Sequence, residues 1–153
     1  AHRMNVPKEL AEYKLERAEI VVYLPADWNI SDHEEKNYWP LRWLKILARL
    51  PLEEDSWLGW GHSVPNGKPF AENTQLSSVL LINPENVEEG AAVCQLPNGE
   101  EVNFYQMIPL YEEEVNFKIQ NGAETLLGKM GEISAVVDIH RLNVCEGFGR
   151  PKE

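Results

Sequence analysis

The chain has 153 residues, 43% of them hydrophobic and 25% charged, values of an ordinary globular domain that exclude a wholly disordered or collagen-like polymer. Its 25 acidic residues against 14 basic ones leave a net charge of −11, which disfavours nucleic acid and anionic membrane as partners and favours a basic protein. This length suits a single hydrophobic core, and no apolar run reaches the ~20 residues that a membrane-spanning helix needs.

In chain order, residues 7–19 are charged and read as loop or marginal helix. The β-branched and aromatic run Ile20-Val21-Val22-Tyr23-Leu24, stopped by Pro25, predicts a buried strand. Ser31 with Glu34 three residues on has the capping-box pattern of a helix start. From residue 38 to 50, Arg42, Lys45 and Arg49 form one polar stripe on an otherwise apolar helix, so the helix should be covered on most sides. Pro40 should kink it or start a second piece, and Pro51 should close it.

Residues 55–69 are rich in Gly, Pro and Trp and read as a structured loop. Residues 75–82 predict a strand ending at Asn83-Pro84. Residues 92–96 and 101–110 flank Pro97-Asn98-Gly99, a strong hairpin signal. Residues 112–130 predict a helix broken near Asn121-Gly122, 134–140 a last strand, and 146–153 a frayed tail. The fold class is therefore α/β (α+β): one domain over residues 1–153, with a mixed sheet and two main helical regions.

The densest candidate site is Trp57-Leu58-Gly59-Trp60-Gly61-His62, where glycines permit close backbone approach beside large rings. An aromatic plug anchoring the loop is the simpler reading, a binding surface the second, and catalysis by His62 the third. Asp138 and His140 alternate and would share one strand face; with His62 or His33 they suggest a metal site, although no third ligand has diagnostic spacing. Cys94 or Cys145 with His62 or His140 is the other reactive pairing, but free cysteines are most often small buried hydrophobes. The two cysteines lack CxxC spacing and fit a reducing cytoplasm; a bridge between them stays open. The run from Phe104 to Tyr111 precedes Glu112, Glu113 and Glu114. Those carboxylates fall in a helix's first turn, where they offset its dipole, or else face a cationic partner.

Leu24-Pro25 with Asp27-Trp28, Trp39-Pro40-Leu41-Arg42, Trp57 to His62, Pro69-Phe70 and Phe104 to Glu114 occur in an order that resembles the suppressor-of-fused (SUFU-like) domain family in its bacterial branch. The likeness runs from about Val21 to Arg141. It implies a mixed α/β fold without known catalysis, used as a protein-binding module. In animals the domain is joined to a second one and holds a transcription-factor peptide, partly by strand addition; in bacteria, related domains are proposed immunity proteins against secreted toxins. The family carries strand-forming sequence ahead of this chain's start, so the N-terminal part of the domain is expected to be missing.

The expectation is a cytoplasmic, non-catalytic protein-binding module, an immunity protein or antitoxin with a basic toxin domain as partner and no cofactor or metal. The partner-binding candidates are Trp57, Trp60, His62, Tyr111, Glu112, Glu113 and Glu114. The alternative is a metal-dependent or Cys/His hydrolase around His62, Asp138 and His140. A scaffold binding an extended peptide beside residues 75–82 or 134–140 is a third reading.

Overall fold

In the computed structural model, which describes residues 3–85, 92–131 and 136–149, helix α1 runs over Glu35–Glu53, longer at both ends than the sequence pattern suggests. Its start is not held by the Ser31/Glu34 box. Asp32 does that work: one carboxylate oxygen accepts the Glu34 amide at 3.0 Å and the other the Asn37 side chain at 2.7 Å. These bonds to the ionised form, the backbone one first, hold the Asp32 carboxyl below its ordinary range. Pro51 does not end the helix. A proline removes only its own amide, and one turn from the terminus that costs a single bond, while Glu54 still donates to the Leu50 carbonyl at 2.9 Å.

Trp39, Pro40, Trp43, Leu47 and Pro51 form the buried stripe of α1, which faces the sheet. Arg42, Lys45 and Arg49 lie outside as expected. Ile46 is also exposed, so the helix is covered on one side rather than on most.

The sheet runs in the order β1-β5-β3-β2, with β4 also on β5. Its strands are β1 Ala18–Val21, β2 Ser63–Pro65, β3 Ser78–Ile82, β4 Val93–Gln95 and β5 Glu101–Leu110. Among the described residues, only the β1–β5 pair is parallel. Strand β1 begins two residues before the apolar run and stops at Val21, because its register is fixed by Ala18 lying opposite Asn103. The β4–β5 hairpin turns at Gly99, whose φ of 86° is the left-handed geometry that glycine adopts without strain.

Alternation on β3 and β5 divides the core in two. Val79, Leu81, Tyr105 and Met107 face α1 with Trp39, Trp43 and Leu47. Leu80, Ile82, Ile108 and Leu110 face the opposite side with Leu126 and Met130. That second side is covered by α2 Glu112–Asn121 and α3 Ala123–Met130, separated as expected at Gly122 (φ 93°).

The last strand predicted at 134–140 is not seen over its described part, 136–140. Residues 132–135 lie outside the described residues, and 136–140 are bends and turns tied to the chain after β1 by the Val137 amide on the Tyr23 carbonyl at 2.9 Å. The expected frayed tail is ordered through Gly149: Phe148 packs edge-on against Phe117, centroids 5.3 Å apart.

Candidate functional site

The Trp57–His62 segment is a loop stitched to β3. The Gly61 amide donates to the Leu81 carbonyl at 2.7 Å, and Leu81 donates back to the His62 carbonyl at 2.9 Å. The His62 ring closes the loop internally, its Nδ1 accepting the Gly59 amide at 3.1 Å. Nδ1 is thus the unprotonated nitrogen of a neutral imidazole. Burial lowers the His62 pKa, the Lys118 charge lowers it further, and a hydrogen bond with the Trp57 backbone opposes both. The Trp57 ring meets the imidazole edge-on at 4.5 Å. Gly59 is required by that ring, because a Cβ there would sit 2.6 Å from Trp57 Cζ3. Trp57 and His62 are half-buried and Leu58 is core. Trp60 alone turns outward, 40% exposed.

The second region is built around a buried ion pair. Arg141 grips Glu114 in two places, Nη1 to Oε2 at 2.7 Å and Nη2 to Oε1 at 2.5 Å, and both residues are sealed from solvent. Both groups make further bonds. Glu114 accepts the amides of Tyr111 at 2.8 Å and Val144 at 3.1 Å, while Arg141 donates to the carbonyls of Pro109 at 3.0 Å and Leu142 at 2.9 Å. The Tyr111 hydroxyl donates to the Arg141 carbonyl at 2.6 Å, and the guanidinium lies 4.9 Å from the Tyr111 ring centre.

Sequence and topology explain why the arginine is needed. The Leu110 carbonyl accepts the Ser77 amide on the β3 side, so the Pro109 carbonyl faces the opposite edge, beyond the last β1 pairing of Val21 with Gln106. Proline brings no amide to that edge, and Arg141 supplies a donor to its carbonyl. Sequence reasoning missed this role. A Glu at the third helical position, paired back to the Tyr111 amide, was a readable signal; nothing local marks Arg141 as its counter-ion.

The carboxylate triplet is therefore not one surface, contrary to the sequence expectation. Glu114 is fully buried and satisfied, Glu113 is buried, and only Glu112 is exposed. Tyr111, Glu112 and Glu113 border a cavity of about 560 Å³.

The hydrolase alternative finds no assembled centre. Asp138 and His140 are exposed and share a local turn, the His140 amide bonding the Asp138 carboxylate at 2.9 Å. They line a cavity of about 600 Å³ that His62 does not border. Among the described residues, no three His, Cys, Asp or Glu side chains converge as metal ligands. Cys94 is exposed and Cys145 buried, both as free thiols. The peptide edge expected beside residues 75–82 is absent too, since β3 lies between β5 and β2.

Residues 1–142 match the family model described as Suppressor of fused protein (SUFU). The chain belongs to this family. Its relatives include an uncharacterised protein of Ureaplasma parvum, 28% identical over 127 residues that make up 82% of this chain and 62% of that protein. The chain thus spans about three fifths of that relative's length. The fold is similar to a suppressor of fused homologue of Neisseria gonorrhoeae (21% identity, TM-score 0.55, 70% of this chain and 57% of that one). It is also similar to Drosophila Suppressor of Fused (16%, 0.58, 70% and 25%) and to a chain of the Sufu–Fu complex (15%, 0.59, 94% and 55%). A SUFU-type mixed α+β architecture accounts for the sheet and helices described above. Among the described residues, no helix is long and apolar enough to cross a membrane.

Proposed function

We propose that this chain is a cytoplasmic, non-catalytic protein-binding module that acts as an immunity protein, neutralising a basic bacterial toxin by docking on it. Membership of the SUFU family supports a binding role, and one solved relative is itself in a complex with a protein, Fu. The observation that carries the toxin reading is the net charge of −11, a field that speeds encounter with a cationic surface.

The contact surface centres on the outward residues of the two regions. Trp60 is the anchor, since exposed tryptophans that become buried dominate interface energies. Glu112, exposed at the start of α2, steers the approach. Trp57 and His62 hold the loop that carries Trp60, and Tyr111 and Glu114 hold the helix start that carries Glu112 and Glu113.

The test is to purify the product of the neighbouring gene and measure its association with this chain from 20 mM to 500 mM salt. The association rate falls at least tenfold across that range, because exposed charges more than a Debye length apart are screened, and Trp60→Ala weakens affinity by about 2 kcal/mol or more. A rate indifferent to salt removes the electrostatic docking mechanism.

A further inference from the structure

Between strand β1 and helix α1 lies a groove of about 400 Å³, within the ~300–1,000 Å³ range of small-molecule sites. Its floor is Leu47 and Leu58, both core side chains, and its walls are Ile20 of β1 and Leu44 of α1. Ala18 and Ala48 border it from the same two elements. Side chains this short leave open a space that a close-packed contact between helix and sheet would fill. Met4 completes the lining, its sulfur accepting the Leu58 amide at 3.2 Å. An unbranched thioether adapts readily to what lies beside it.

The charges around this trough leave one cation unmatched. Arg3 borders it but is committed to Glu100. Glu19 borders it too, yet Ala18 and Ile20 pack toward α1, so alternation turns the carboxylate between them to the other face of the sheet. Lys45 remains. Its ammonium bonds the Tyr38 hydroxyl at 2.6 Å and has no carboxylate partner among the described residues. An apolar trough with a single free cation beside it suits a guest with a greasy body and an anionic end.

We propose that this groove is a binding site for a medium-length aliphatic carboxylate, a free fatty acid, with its head group on Lys45. The tail covers Leu44, Leu47 and Leu58, and the carboxylate makes a charge-assisted pair with an ammonium that Tyr38 already holds in place. Affinity then depends on chain length, through the apolar area removed from water, and separately on the charge of the head group. The inference does not rest on the docking reading above, since Trp60 does not border the groove.

The probe is decanoate, titrated into the isotope-labelled chain below its micelle concentration and followed by amide resonances. Those of Ala18, Leu44, Ala48 and Leu58 shift together and saturate. Octanoate, shorter by two methylenes, binds roughly threefold more weakly or worse, and decanol, with the same tail and no charge, loses about as much. Lys45→Met keeps the apolar stem and erases the preference for decanoate over decanol. Ala48 is exposed on the helix, so Ala48→Phe hangs a ring over the groove without entering the core, and decanoate affinity falls at least tenfold. Leu52 is 60% exposed at the rim, and Leu52→Asp weakens binding independently of that variant. Absence of shifts at these amides overturns the proposal, as does decanol binding as tightly as decanoate, or both A48F and L52D binding like wild type. Methyl decanoate binding as well as the free acid assigns the groove to the esterified chain of a lipid. Ligand-free dimers in sedimentation velocity that A48F dissolves assign it to a second copy. Either result also overturns the proposal.

Discussion

The loop at residues 57–62 and the start of α2 both present dense aromatic and polar sequence, yet the fold treats them oppositely. In the loop, rings and glycines are fixed by backbone bonds to β3, and one large ring, Trp60, is left facing outward. At α2, the charges are drawn inside, and Glu114 becomes the counter-ion of Arg141 under a sealed surface. Neutral backbone polarity can be satisfied at the periphery with an aromatic to spare, whereas a carboxylate facing an unpaired sheet edge has to be completed or left costly. Richness in a residue type therefore does not reveal whether a segment faces a partner or the core.

The sharpest way to break this comparison is at the ion pair. Arg141→Ala leaves a buried carboxylate without its counter-ion, and chemical denaturation should show a loss of about 3–5 kcal/mol. The double variant with Glu114→Ala should lose less than the two single changes added together, because the second substitution removes the charge the first has stranded. Additive losses would mean that the two groups do not act as a unit.

A smaller effect is expected in the loop. Gly59→Ala places a methyl group against the Trp57 ring, so the ring must shift, with a loss of about 1–3 kcal/mol typical of overpacking. Trp57 fluorescence should change with it; an unchanged spectrum and melting curve would show that the ring is not held by that approach.

The smallest effect is a matter of pH. The folded His62 pKa lies below its ordinary 6.5, so the unfolded chain binds the proton more readily than the folded one. The contribution is fully present above about pH 6.5 and is lost as the pH falls from there through the lower folded value. Imidazole proton resonances should titrate with a midpoint below 6.5, and a midpoint at or above it would contradict a neutral ring holding the Gly59 amide.

Much of the frame was legible from residue pattern. Strands β4 and β5 form on the two sides of the predicted hairpin signal, β3 falls within the strand predicted at 75–82, and the α2–α3 break falls at Gly122. These are local periodicities and turn residues, and local rules decide them. What escaped depends on distant partners. The position of β1 follows from Asn103 opposite Ala18. The interior fate of Glu114 follows from an arginine 27 positions away. No window short enough to show periodicity contains those pairs.

The parallel pairing of Ala18 with Asn103 joins positions 85 apart in the chain. During synthesis from the amino end, β1 has no ladder to join until β5 has left the ribosome, and α1 waits with its tryptophan stripe uncovered. Closing so wide a span is entropically slow. The nascent chain thus has a long interval in which its first third is open to chaperones or to its neighbours.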